Sequence, residues 1–353
     1  MKAPSKVDYD KLAEQLDGVR EHVNAKIGQE DARYIRKVIV MQRAFEWGGR
    51  VLLLLGFVTP ILWAVGVLFL ALGKIIDNME IGHNVMHGQY DWMNDKFINS
   101  RSYEWDIACD GKSWNRVHNY EHHTYTNIVG KDRDYGYGLL RLSRDFGWRV
   151  KNLWQFGTYI VLSVLFQWGI AYHELAAERV FFGKKKDNRN SQVTHAELKT
   201  RFFSKGARQI LKDYVLFPLL AGPMFLWVLV GNLLANLIRN LWTSTIIFCG
   251  HFTGDAQTFT QEECINESRG QWYYRQALGS SNIKGRNWFH VLSGHLSYQI
   301  EHHLFPDLPA RRYREIAPHV QRIFKEHGIH YNTGSFLAQY GSVVKRILRY
   351  SFP

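Results

Sequence analysis

Residues 118–123 read His-Asn-Tyr-Glu-His-His. Neutral imidazole is the commonest protein ligand for zinc, copper, iron and nickel. His118 and His122 stand four apart and share a face if the segment is helical. His123 adjoins that face, so three imidazoles converge from barely two turns. Two further clusters repeat the theme: His83-Asn-Val-Met-His87 upstream and Gln299-Ile-Glu-His302-His303 downstream. The three clusters hold seven of the sixteen histidines, a concentration that packing does not explain. On one helix His295 and Gln299 would share the face of His302 and His303, with Pro306 and Pro309 ending it. His251 leaves an apolar block at the level of the first cluster. Eight or nine imidazoles exceed the three protein ligands of a catalytic zinc and suffice for two metals with about four nitrogens each. No cysteine lies in the clusters, which argues against an iron–sulfur centre. Two imidazole-bound irons facing a membrane would activate O2 against a greasy, unactivated C–H bond.

These ligands need rigid carriers, and the apolar blocks supply them. Val51–Leu72 runs 22 residues without a charge, enough for roughly 30 Å of hydrocarbon. Pro60 offers a break. The block reads either as a single crossing or as a hairpin with spans near 39–59 and 61–82. The hairpin would place Arg43, Glu46 and Arg50 on one stripe facing protein. From Ile61, His83 and His87 lie about 33–39 Å along a continuous helix, just beyond the bilayer. Asp77 and Glu80 share their face, as partners of the ligands or as solvated carboxylates. Residues 215–250 carry a single charge, Arg239, in 36 residues. As one helix they would reach about 54 Å, so two short spans near 215–230 and 232–250, folded about Gly231-Asn232, are expected. If all clusters build one site, the uncharged segment 153–172 must cross an even number of times. We therefore expect an interfacial or re-entrant segment there.

The predicted fold class is an all-α integral membrane protein, with hairpins of transmembrane helices and a cytoplasmic helical cap holding the metals. Residues 1–46 are expected to be a cytoplasmic tail or helix, 47–310 the membrane domain, and 311–353 a basic, solvated tail. The composition agrees. Aromatic residues make up 14% of the chain while mean hydropathy is only −0.27, so a membrane part must carry a large polar part. The net charge of +12 comes without a nucleic-acid-binding signature and fits a basic face beside anionic lipid or an acidic carrier. Cys109, Cys249 and Cys264 form no paired framework. Residues 1–40 show no apolar core of a cleavable signal peptide.

The three clusters, in this order and spacing around two apolar blocks, resemble the membrane-bound fatty acid desaturases and the related hydroxylases. That family carries H-x3/4-H, H-x2/3-H-H and (H/Q)-x2-H-H boxes, here His83–His87, His118–His123 and Gln299–His303. The Gln-led third box before Leu-Phe-Pro is similar to the front-end subgroup and its bacterial acyl-desaturase relatives. The resemblance covers about residues 45–310 and implies two irons, with O2 as co-substrate and two external electrons, inserting a double bond. It implies His83, His87, His118, His122, His123, His302 and His303 as ligands, with His251 at the position of a further one. Gln299 replaces a histidine of other members, and either it or His295 would complete the set. Glu121 and Glu301, inside the boxes, would orient ligands or face solvent. Trp92, Trp105, Trp114, Tyr125, Trp288 and Tyr298 are candidates for an acyl tunnel or for plain core. No His-Pro-Gly-Gly haem signature is present in the N-terminal segment. The electron donor is therefore expected to be a separate ferredoxin or cytochrome-type protein with an NAD(P)H reductase. Lys184–Lys186 would dock an acidic donor, CoA phosphates or lipid head groups, or form a solvated loop. The fatty acyl substrate could ride on CoA, a carrier protein or a glycerolipid. A membrane lipid hydroxylase shares the same boxes and is the alternative.

Overall fold

Two helices, α2 (Gln29–Leu54) and α3 (Pro60–Met86), form the first hairpin, turning through residues 55–59. Thr59 caps α3 by accepting from the Ile61 N–H, and Pro60 stands at its first position, where a missing donor costs nothing. Two glycines set the contact. A Cβ on Gly49 would fall 2.5 Å from the Leu70 nitrogen, and one on Gly66 2.7 Å from that of Leu53. Small residues of this kind let backbones approach where lipid offers no hydrophobic drive. The block folds as a helical hairpin, and of its two legs α3 alone is long and apolar enough to cross a membrane. Arg50 turns inward, 6% exposed, and binds Glu46 at 2.8 Å.

The computed structural model describes residues 7–175, 177–182 and 194–353; the Lys184–Lys186 run lies outside them. Among the described residues the fold is helical apart from one short parallel pair, β1 (Asn282–Lys284) on β2 (Thr333–Ser335), and an isolated bridge. Two helices are long and apolar enough to cross a membrane: Pro60–Met86 and Gly222–His251. The protein is membrane-associated. The segment of the second histidine cluster follows as α4, a continuous run of Gly111–Trp114, Asn115–His122 and His123–Tyr125. Next come α5 (Gln155–Val164) and α6 (Phe166–Glu174), bent by 97° at Leu165. A pair bent this sharply is either a broken span or a re-entrant loop.

The second apolar block departs from expectation. No break occurs at Gly231-Asn232: α8 (Phe225–His251) runs through both residues, and the turn lies at residues 221–224. The other leg consists of α7 (His195–Ile210) and the segments Leu211–Leu216 and Phe217–Leu220. Gly231 is a notch, since a Cβ there would meet Leu53 Cδ2 at 2.6 Å. Asn232 is buried and donates to the Asp213 carbonyl at 2.6 Å. What reads as turn chemistry is packing between legs. Around it lies a buried ion network. Lys74 pairs with Asp213 at 2.8 Å and with Asp106 at 3.1 Å. Arg239, 1% exposed, donates to Asn78, Asn236 and Asn240.

Among the described residues, the segments near both termini pack into the cap rather than trailing as tails. Helix α1 (Tyr9–Asn24) packs Leu12 and Leu16 into one core with α9 (Arg269–Leu278), α10 (Gln299–Leu304) and α11 (Tyr313–Glu326). Tyr313, Ile316 and Val320 are fully buried there. The final helix, α12 (Phe336–Arg349), sends the buried Arg346 to the carbonyls of Leu142, Thr253 and Ala256. Residues 311–353 are thus part of the cap. The basic side chains occupy one face of the amphipathic helix and leave the other free to pack.

Candidate metal centre

Eight imidazoles meet where α3, α4, α8 and α10 converge. Two of the carriers are locally π-helical, over Asp77–His83 and Asn115–His122; such widened turns recur at functional sites. His83, His87, His118 and His302 form one group of ligand atoms, all within 4.8 Å of one another. His122, His251 and His303 form a second, and His123 joins His302 and His303 in a third. His123 also lies 4.7 Å from His87 between ring centroids, so it bridges the two halves. Every one of the three boxes contributes, together with His251.

The hydrogen bonds fix which nitrogen faces inward. His83 Nδ1 meets Asn84 Oδ1, His118 Nδ1 meets Asp134, and His122 Nδ1 meets Asp132. His303 Nδ1 meets Gln276 Oε1 at 2.8 Å, and His302 Nδ1 meets the Tyr313 hydroxyl at 3.3 Å. That hydroxyl donates to the Phe305 carbonyl, so it accepts from His302. With Nδ1 carrying the proton, each Nε2 presents a lone pair. The Nε2 atoms of His122 and His303 lie 3.3 and 3.2 Å from that of His251. His87, His118 and His302 keep a buried Nε2 with no partner among the described residues, and His123 keeps both nitrogens so. Lone pairs packed this tightly repel unless a cation sits among them. The donor set fits two imidazole-ligated metals.

Electrostatics keep the ligands competent. Burial, then the neighbouring imidazoles, hold His87, His123, His302 and His303 well below the ordinary histidine range, which is the neutral form a metal needs. Burial also presses on His122, but the Asp132 carboxylate outweighs it and leaves its pKa raised.

The remaining expectations divide. Gln299 stands at the centre, its Nε2 2.8 Å from His251 Nε2 and its Oε1 without a partner among the described residues. Gly250 leaves it room, for a Cβ there would fall 2.9 Å from the Gln299 Cδ. His295 is elsewhere. The expected single helix is interrupted, because Gly294 and His295 both adopt positive φ and α10 begins only at Gln299. His295 Nδ1 instead binds Glu80 Oε2 at 2.9 Å, and Tyr34 donates to the other oxygen. Gly294 cannot be replaced cheaply, since a Cβ would fall 2.3 Å from the Met79 carbonyl oxygen. Glu80 therefore ties α3 to the third box through His295. Asp77 accepts from the Asp106 backbone, and Glu301 from Asn282 and Tyr331. Glu121 is buried with one oxygen unpartnered among the described residues.

Sequence reasoning missed Asp132, Asp134, Gln276 and Tyr313, the groups that orient the ligands. Asp132 and Asp134 sit in a short loop after the second box. Asp132 also accepts from the Asn127 N–H at 2.7 Å, which fixes the loop, and Asp134 also meets His173 Nε2 at 3.1 Å. Two carboxylates within twelve residues of a histidine box were the available signal. Asp134→Asn is expected to weaken metal binding or turnover by roughly 10–100-fold. Competition with an iron chelator measures it, and unchanged affinity together with unchanged turnover would refute the orienting role.

A narrow cavity of about 60 Å³ borders His83, His118, His122 and His251. Its other walls are largely apolar, with Trp105, Trp114, Tyr137, Phe166 and Ile170 prominent. Of the six aromatics singled out by sequence, Trp105 and Trp114 line it; Trp92, Tyr125, Trp288 and Tyr298 do not.

A metal centre joined to an apolar cavity is one half of the comparison, and known proteins supply the other. The model of the fatty acid desaturase family matches residues 59–335. The chain belongs to the fatty acid desaturases. It is 44% identical over 350 residues to an NADPH-dependent stearoyl-CoA 9-desaturase of Mycobacterium tuberculosis, covering 98% of this chain and 81% of that one. An sn-1 linoleoyl-lipid 6-desaturase of Synechocystis is 24% identical over 314 residues, covering 84% and 82%. This desaturase is an oxidoreductase of lipid metabolism. The hydroxylase alternative is not favoured, since both relatives are desaturases by name.

Proposed function

We propose that this desaturase introduces a double bond near the middle of a saturated fatty acyl-CoA of stearoyl length, with a di-iron centre held by the eight imidazoles. The observation that carries it is the convergence of inward-facing Nε2 lone pairs on a cavity with apolar walls. The acyl carrier and position follow the printed activity of the 44% identical relative. His83, His87, His118 and His302 would hold one iron and His122, His251 and His303 the other, with His123 between them and Gln299 beside the second. Two irons bound there supply the redox chemistry by which O2 removes hydrogen from an unactivated C–H bond. In balance, the acyl chain loses two hydrogens, an external donor adds two electrons with two protons, and O2 leaves as two waters. The protein's part is positioning and dryness. Asp132, Asp134, Gln276 and Tyr313 lock the imidazoles, while Trp105, Trp114 and Phe166 exclude water from the reacting carbons.

The electrons come from a separate donor, a ferredoxin or cytochrome-type protein with an NAD(P)H reductase; the NADPH dependence named for the relative supports this. Expression with such a donor, followed by gas chromatography–mass spectrometry of derivatised fatty acids, is the test. A new double bond is expected, with about two irons per purified chain. A hydroxylated product, or an active preparation holding zinc alone, would overturn it.

The active side faces the cytoplasm in this proposal, because the cap carries the basic excess that short loops retain there. A cysteine placed at the exposed Lys345 should react with an impermeant thiol reagent only after the cells are permeabilised. Labelling of intact cells would reverse the topology.

A further inference from the structure

Helix α6 carries two buried polar residues outside the set of inward-facing imidazoles. Gln167 and Glu174 both line the cavity, 2% and 1% exposed, and each keeps one side-chain oxygen without a partner among the described residues. They stand seven residues apart, so they lie on one face, about 10.5 Å apart along the axis. An unpaired buried polar atom is costly unless a ligand satisfies it. The ligand of this cavity is an acyl chain, and the polar feature of such a chain nearest its methylenes is the carbonyl at its head.

We propose that Glu174 donates a hydrogen bond to the substrate's thioester or ester carbonyl and so selects which pair of methylenes faces the metals. The assignment rests on the desaturase reading and deepens it. A carbonyl only accepts, so its partner must bring a proton. Burial, then the Asp134 carboxylate, push the Glu174 carboxyl well above the usual range and keep it in the acid form; Arg133 and Arg116 oppose this and Glu121 adds to it. Gln167 presents its free Oε1, an acceptor, toward which a carbonyl has nothing to give. Glu174 also sits at a defined remove from the metals, because Asp134 lies between it and His118. With the carbonyl pinned there, the number of methylenes that fit between the two is fixed. Regiochemistry then becomes a length measured from the head of the chain.

The test uses full-length enzyme with its redox partner and saturated acyl-CoAs of several lengths. In the wild type the double bond should hold a constant distance from the carbonyl as the chain lengthens. A constant distance from the methyl end would overturn the proposal without any variant. Glu174→Gln keeps a donor and should preserve the position at reduced rate. Glu174→Leu should retain its irons, raise KM, and increase minor positional isomers by at least about tenfold, the worth of one buried hydrogen bond. A single unchanged position in Glu174→Leu, or scatter in Gln167→Leu instead, would overturn it. Wild-type enzyme that makes no double bond at all would count against the desaturase reading, not against Glu174 in particular.

Discussion

His302→Ala should leave purified enzyme short of metal and with turnover at background. His302 is wholly buried; it belongs to the group with His83, His87 and His118, and also faces His123 and His303. Removing it opens both halves of the centre at once. Alanine also removes one partner of the Tyr313 hydroxyl, which keeps the Phe305 carbonyl and the Gln89 amide. His295→Ala is the instructive comparison. It should keep both irons, because His295 spends its Nδ1 on Glu80 and lies outside the group of inward-facing nitrogens. Its cost should fall on stability, about 1–3 kcal/mol, since a fully buried carboxylate loses one partner and keeps only Tyr34. Iron content of the two variants, read side by side with a thermal melt, separates the roles. Iron loss in His295→Ala equal to that in His302→Ala would make His295 a ligand after all.

Asp213→Ala should be the most destabilising single change away from the metals. Asp213 is 0% exposed and meets Lys74 at 2.8 Å, and it also accepts from Gln209 and Asn236. Lys74 itself is 1% exposed and would be left with Asp106 alone. Breaking one side of a buried pair costs about 3–5 kcal/mol, because the surviving charge stays desolvated. Chemical denaturation in detergent measures it. The double variant Asp213→Leu with Lys74→Met should recover much of the loss, since an apolar pair of similar volume carries no such penalty. A single variant as stable as the wild type would show that the network carries no net energy.

The converging histidines were legible because their chemistry is local: imidazoles at helical spacing announce themselves within six residues. The hairpin of α2 and α3 was legible because Pro60 interrupts an uncharged run. What escaped depends on distant partners. Asp132, Asp134 and Gln276 are ordinary polar residues until folding sets them against His122, His118 and His303. Gly231-Asn232 imitates a turn, but Leu53 and the Asp213 carbonyl turn the two residues into a packing notch. His295 was misplaced because periodicity assumes an unbroken helix, and Gly294 was the warning against it. The ends were undervalued for a similar reason. Charge along α11 describes its outer face and says nothing of Tyr313, Ile316 and Val320 beneath.

The clasp between α1, α10 and α11 also sets an order of events during synthesis. Residues of the first two boxes leave the ribosome long before His302 and His303, and Tyr313, which steadies His302, leaves later still. A nascent chain therefore carries His83, His87 and the 118–123 cluster into the membrane as an open, half-built cage. Metal captured at that stage would meet too few donors to discriminate iron from zinc or copper, because raw affinity follows the metal and not the need. In the proposed di-iron enzyme, loading would belong after translation, once α11 has closed over the third box.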